Sequence, residues 1–224
     1  MTVVLSGHEF ELREVELDHV TEEGWTRWYN DPVITRYNRH GNVSISLEEE
    51  REIVADTIAD PRALLLGIWT RVDNRLIGNI CLQSIDACAA MANIAITIGE
   101  SGPMSAATEA FGLLTHHAFT QLKLLRLEDG THERLEALMH MIAIWGYRIE
   151  GIGRGHFRTG AEQCDLLYFG CRAEDYVAEL GRRNGHVLFP DSTTLKREIM
   201  KAVRAKSAGD VEAIRGVLGF HPDR

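Results

Sequence analysis

Four cysteines, several histidines and one strand-end carboxylate are the first candidates for chemistry in this 224-residue chain. Cys81, Cys88, Cys164 and Cys171 form two pairs, each with six residues between. Cys164 and Cys171 fall on what reads as one extended segment. Seven residues of strand cover about 23 Å at about 3.3 Å each, and an odd step reverses the face. The two thiols therefore cannot meet one ion, and the expectation is buried, reduced cysteines with no metal site. Proton transfer near neutral pH could come from Glu100, His116, His117, His132 or His140. His116 points away from the apolar stripe Phe111, Leu114 and Ala118 and reads as surface, whereas His117 flanks the stripe as a core-edge residue. His140 lies on the polar side of its helix and also reads as surface. Glu100 follows Gly99 at a strand end, in solvent, and His132 precedes a helix from which it could face a cleft.

These residues need elements to position them. Phe10 to Val15 alternates and reads as a first strand, and Val20 to Trp28 reads as a helix stopping before Asn30-Asp31-Pro32. Tyr37 to Asn42 is a polar loop. Ser46-Leu47-Glu48-Glu49 is a capping-box pattern opening a helix to about Ile58. Ala63 to Thr70, Leu76 to Ile85 and Met91 to Ile98 form an antiparallel meander, with a hairpin turn at Val72 to Arg75. Helical spacing then runs from Ser105 to Leu122, and a short strand covers Leu124 to Leu127. Leu135, Leu138, Ile142 and Trp145 mark another helix, with Gly146 as a left-handed cap. Strands follow near Gly155–Thr159 and Asp165–Cys171, joined by a turn at Gly160. Beyond Asp175, one apolar stripe joins Leu195, Ile199 and Val203, and a second joins Val211, Ile214 and Leu218 behind an Asp210 N-cap. This tail reads as a packed add-on or, by slight preference, an oligomerisation arm that would make a homodimer.

Composition narrows the partners. A hydrophobic share of 45% and a charged share of 25% are those of an ordinary globular protein. The net charge of −9 and pI near 5.6 argue against nucleic acid. No run approaches the roughly 20 apolar residues of a membrane span, and the start lacks a signal-peptide pattern. The expected location is the cytoplasm, with no membrane partner.

The order of elements, with six local phrases, resembles the GCN5-related N-acetyltransferases (GNAT) over about residues 8 to 176. The branch it looks like includes the ribosomal-protein N-terminal acetyltransferases. The phrases are Leu76-Ile77-Gly78-Asn79-Ile80, Asn93 to Glu100, Ala107-Thr108-Glu109-Ala110, Trp145-Gly146-Tyr147, Glu150-Gly151 with Phe157-Arg158-Thr159-Gly160, and Asp165-Leu166-Leu167-Tyr168. The resemblance implies an α+β three-layer acyl-CoA N-acyltransferase fold over residues 1–176. Its central sheet would be mixed and mostly antiparallel, flanked by helices, with a helical extension over 177–224. Acetyl-CoA is the implied co-substrate.

Strands are expected to splay beside the carrier strand, so that the pantetheine arm bonds the backbone of Ile96, Thr97 and Ile98. The pyrophosphate would meet the helix start at Met104, Ser105, Ala106, Ala107 and Thr108, where free N–H groups and the helix dipole suit an anion. The loop departs from the family's pattern. Gly102 stands in place of a basic residue and Ser105 in place of a glycine, and Pro103 has no N–H to give. Ser105 is expected to cap the helix through its hydroxyl. Asn93 stands where the family often has a carboxylate base, Ile142 where a tyrosine protonates the thiolate, and Leu135 where an asparagine fixes the pantetheine.

The catalytic work is therefore placed on Asn93, Glu100 and His132, with Tyr37 and His40 shaping the acceptor pocket. The implied reaction is acetyl transfer to the primary amine of a small molecule, a nucleotide-linked amino sugar being one form. Two alternatives stay open: a catalytically degenerate acyl-CoA-binding or partner-binding module, and a protein N-terminal acetyltransferase.

Overall fold

The computed structural model describes residues 3–38, 43–100, 104–159, 162–207 and 209–217. In chain order the elements are β1 (Val3–Ser6), β2 (Phe10–Glu14), α1 (Arg27–Asn30), α2 (Leu47–Ala59), β3 (Leu64–Thr70), β4 (Leu76–Asp86), β5 (Met91–Ile98) and α3 (Met104–Thr120). They continue with β6 (Arg126–His132), α4 (Glu136–Ile142), β7 (Arg148–Thr159), β8 (Glu162–Arg172), α5 (Ala173–Arg182), α6 (Ser192–Arg204) and α7 (Val211–Val217). Local signals set several boundaries. The Ser46 hydroxyl accepts from the Glu49 N–H while Glu49 accepts from the Ser46 N–H, the reciprocal pair that starts α2. Gly146 closes the turn after α4 at φ 98°, a left-handed conformation that favours glycine.

Eight strands form one sheet in the order β1-β2-β3-β4-β5-β6-β8-β7. All pairs are antiparallel except β5 with β6, which the crossover through α3 makes parallel. The main core lies on the face covered by α3 and α4, where Leu12, Leu66, Ile80, Ile94, Leu114, Leu127, Ile142 and Leu167 are buried together. The other face carries a smaller cluster of Val20, Trp25, Trp28 and Val54 from the α1–α2 region. There the Trp25 indole N–H donates to the buried Glu50 carboxylate at 2.7 Å. This mixed sheet between helical layers is the acyl-CoA N-acyltransferase architecture expected above.

Several details differ from the expectation. β1 precedes the strand read as first. The segment Val20–Trp28 is a π-helical turn over Glu22–Thr26 running into the single turn of α1. Three strands run past the apolar runs that marked them: β6 extends to His132, β7 begins at Arg148 and β8 at Glu162. The turn at Gly160 lies outside the described residues. Cys81, Cys164 and Cys171 are buried free thiols, but Cys88 is exposed in the β4–β5 turn. No helix among the described residues is long and apolar enough to cross a membrane.

The tail packs on its own chain. Leu195, Ile199 and Ala202 of α6 join the main core, where α6 meets α4. Arg183 stacks over Trp145 at 4.4 Å and donates to the Ile144 carbonyl at 2.6 Å. In α7, Arg215 pairs with Glu133 and with Asp165, and Asp210 accepts from the Glu212 and Ala213 N–H groups as a cap. The Leu195–Ile199 stripe is therefore covered within the chain and is not an open arm. Leu195→Ala should cost about 2–4 kcal/mol and leave one cooperative denaturant transition. A separate early transition for the tail would show that it folds independently.

Candidate active site

β5 and β6 pair over only three positions, Met91 with Arg126, Ala92 with Leu127 and Asn93 with Glu128. Past that point each strand keeps its outer neighbour. Ile98 remains opposite Gly78 of β4, and His132 remains opposite Leu166 of β8. The inner edges therefore diverge and leave backbone donors and acceptors of both strands facing a cleft of about 700 Å³. Asn93, Ala95, Ile96 and Thr97 line it from β5.

The in-phase register separates two kinds of wall. Side chains alternate along each strand, so Asn93 and Glu128 share one face. On that face the Arg126 Nε donates to Glu128 at 2.6 Å and its Nη1 to Glu150 of β7 at 3.1 Å. Both carboxylates hold the Arg126 guanidinium firmly charged. Tyr168 of β8 and Tyr37 complete this polar side. The opposite face, toward α3 and α4, is apolar: Phe111, Leu135, Leu138 and Phe169 line it. Asp129 sits among them, one residue past the last β5–β6 pair and opposite Phe169. Its Oδ1 accepts from the Gly130 N–H at 2.7 Å. Burial pushes the Asp129 carboxyl up to about 6, against the pull of that hydrogen bond, and the Glu128 charge adds to the rise.

The residues singled out from sequence fall in different places. Asn93, Ile96, Thr97 and Tyr37 line the cleft, whereas Ile98 does not. His40 and residues 101–103, the first half of the expected phosphate loop, lie outside the described residues, as does the Met104 side chain. Ala106 and Thr108 are wholly buried, and Ala107 packs against the core. Glu100 does not line the cleft; it accepts from Arg27 and, at 2.9 Å, from the Trp28 indole N–H. His132 is 1% exposed and is held between Tyr37 and Phe157, with centroids at 4.9 and 5.2 Å. Its Nδ1 accepts from the Arg134 N–H at 3.1 Å, and burial favours the neutral ring. It therefore stands behind the cleft wall, not in it.

Two histidines read as surface are not. His140 is buried, because α3 and α6 both pack on α4 and leave little of that helix to solvent. His116 is half-buried and bonds the Tyr176 hydroxyl at 2.9 Å. His117 is half-buried, as a core-edge residue would be.

Ser105 does not cap α3. Its hydroxyl donates to Glu9 Oε2 at 3.0 Å, beside Glu109, which accepts from the Glu9 and Phe10 N–H groups at 3.2 and 3.1 Å. This knot ties the start of α3 to the β1–β2 hairpin. A Cβ at Gly7 would lie 1.8 Å from Glu109 Oε1, so a side chain there would push that carboxylate off its backbone donors.

Glu128 and Asp129 escaped the sequence reading because the strand was ended at Leu127. Leu127 and Thr131 are two strand steps either side of Asp129, and extending that alternation would have put the acidic pair at the cleft. Ile142 is fully buried and Leu135 lines the apolar wall, so neither supplies the polar group expected at its position. What the site offers a thioester carrier is backbone along β5 and an apolar wall, a fit for an extended pantetheine arm. Among the described residues no cluster could hold a metal.

The family described as Acetyltransferase (GNAT) domain matches residues 9–146. Among solved structures, the chain is similar to spermidine N-acetyltransferase from Vibrio cholerae in complex with CoA and spermine. That match has 18% identity and a TM-score of 0.68, covering 75% of this chain and 98% of that one. A GCN5-related N-acetyltransferase from Brucella melitensis matches with 17% identity and a TM-score of 0.66, over 87% of this chain and 93% of that one. A GNAT-family acetyltransferase from Bacillus anthracis matches with 17% identity and a TM-score of 0.65, over 76% and 98%. No curated protein matches.

Because the Ser105 hydroxyl is spent on Glu9, Ser105→Ala should lower stability by about 1 kcal/mol and leave acetyl-CoA affinity within about twofold. Calorimetric titration beside a thermal melt would check both. A large loss of affinity at unchanged stability would return Ser105 to the ligand.

Proposed function

The chain belongs to the GNAT acetyltransferase family, and from that premise we propose that it moves an acetyl group from acetyl-CoA to the primary amine of a small molecule. The observation that carries this reading is the divergence of β5 from β6 beyond Asn93 and Glu128. An extended pantetheine arm can bond the free β5 edge as an added strand would. The Ile96–Ile98 backbone would hold that arm, and β5 backbone N–H groups nearer the apex at Asn93 can polarise the thioester carbonyl. The amine approaches from the polar face. There Glu128 sits directly beside Asn93, so the carboxylate missing at position 93 is supplied by the next strand. Glu128 and Glu150 favour an ammonium group, and Glu128 can accept its proton directly or through water. Asn93 orients the resulting neutral amine. Attack then needs little beyond proximity, since positioning supplies much of the rate.

The substrate side supports a small cationic amine. The aromatic faces of Tyr37 and Tyr168 suit an amino sugar, nucleotide-linked or free, and the structural similarity to a spermidine N-acetyltransferase supports a polyamine as a comparison substrate. The second reading, a cleft that binds acyl-CoA without turnover, is favoured by the burial of Ile142 and by Leu135 on the wall.

Calorimetry with acetyl-CoA and CoA tests the binding, and thiol release with amino sugars, spermine and a peptide N-terminus tests the transfer. Micromolar binding with thiol release is the expected result; binding without release on any amine selects the second reading. Glu128→Gln should lower kcat/KM for the amine by about tenfold or more while acetyl-CoA affinity stays within about twofold. An unchanged kcat/KM would remove Glu128 from the amine side.

A further inference from the structure

Transfer from a thioester leaves a sulfur that must end as a thiol, and the groups one would look to for its proton are elsewhere. Ile142 is buried and has none to give. The Tyr147 hydroxyl is buried and bonded to Thr115 at 2.8 Å, and it does not line the cleft. Tyr168, paired in register with Gly130, lies on the polar face with the amine. On the apolar face, where α3 and α4 close over the carrier's end, one acidic side chain remains. Asp129 is one residue beyond the last β5–β6 pair, which places it at the apex of the cleft. One of its oxygens is fixed by the Gly130 N–H, so the carboxyl is oriented from its own strand.

We propose that the Asp129 carboxyl is a catalytic acid that hands its proton to the departing thiol. The proposal rests on the acetyl-CoA reading above. The amine nitrogen forms its bond to the thioester carbon, and the carbon–sulfur bond then breaks with its electron pair on sulfur. The Asp129 O–H proton moves to that sulfur, giving the free thiol and an Asp129 carboxylate. The nitrogen's extra proton leaves on the polar face, through Glu128 or water, and Asp129 regains one from solvent. One proton enters and one departs, and no oxidant or further reactant is needed.

The surroundings suit an acid rather than a base. Asp129 faces Phe169 and shares its wall with Leu135, Leu138 and Phe111. Burial holds its carboxyl near 6, and filling the cleft would remove more water and raise it further. The other titratable or charged groups lining the cleft are Arg126 and Glu128 on β6, Glu150 and His156 on β7, Tyr168 on β8 and Tyr37. α3 and α4 contribute none. Arg126 is engaged by Glu128 and Glu150 on the opposite face, and Glu128 opposes ionisation of Asp129.

The test begins with binding, which needs no acceptor. Asp129→Asn keeps an oxygen for the Gly130 N–H and is expected to fold. The thiolate absorbance of bound CoA is titrated with pH in both proteins. An ionised Asp129 beside the sulfur disfavours the thiolate, so the bound thiol should titrate about one unit or more higher in the wild type than in Asp129→Asn. Kinetics with any amine that turns over should show kcat reduced about 100-fold with KM for acetyl-CoA within about twofold. The wild-type fall in kcat as Asp129 deprotonates in the filled cleft, at a pH above the empty cleft's value of about 6, should vanish in the variant, while the rise from amine deprotonation stays. Asp129→Glu, which retains the acid, should recover part of the rate. A bound thiol that titrates identically in both proteins overturns the assignment of Asp129 alone. CoA that fails to bind the wild type overturns the acetyl-CoA reading and this proposal with it.

Discussion

The parallel ladder between β5 and β6 ends at Asn93 and Glu128 because each strand is held from its outer side. β5 stays in register with β4 out to Ile98, and β6 stays in register with β8 out to His132. Neither strand can follow the other without breaking a longer antiparallel ladder. The cost is a set of backbone groups with no partner across the gap, and such groups are met by water or by a ligand. Each hydrogen bond made there is worth only about 1 kcal/mol net. An extended amide-bearing arm could nevertheless satisfy several at once without demanding any particular side chain. This is why a site can persist on strand geometry while the customary polar residues at positions 93, 135 and 142 are replaced.

The same ladder fixes which chemistry falls on which side. Glu128 and Asp129 are neighbours in sequence, yet alternation sends them to opposite faces of the sheet. Glu128 meets Arg126 and remains among charges that water can reach. Asp129 meets Phe169 and an apolar wall, and burial raises it to about 6. Two carboxyls of similar intrinsic acidity are thus separated by environment into one suited to take a proton and one suited to give it.

Much of the architecture was legible because it rests on local rules. The capping box at Ser46 and Glu49, the left-handed Gly146 and the three-strand meander all appear where composition and spacing put them. The site was less legible because it depends on register between strands distant in sequence. Nothing near residue 128 says that it will lie beside residue 93. β6 looked like a four-residue strand because Glu128, Asp129 and Gly130, which border the cleft, break its apolar run. Ser105 was read as a cap from its neighbours alone, while its actual partner, Glu9, lies 96 residues away. His140 was placed on the surface by the pattern of its own helix. Its burial follows from the packing of that helix among others, which no single-helix pattern contains.

The tail extends this argument to the wall of the cleft. Its stripe was read correctly as apolar, but the surface it covers belongs to the same chain. Leu195, Ile199 and Ala202 pack into the core that also holds Met139 and Ile142, and Arg183 clamps the Ile144–Trp145 turn. α4 is thereby gripped from outside, while Leu135 and Leu138 face the cleft from within. A hydroxyl at position 142 would have to be buried in that packed layer, where an unpaired polar group costs about 1–3 kcal/mol. Packing the tail onto α4 thus stabilises the wall and at the same time disfavours a proton donor on that helix. A donor on this face can come instead from β6, whose Asp129 lies among the same apolar residues.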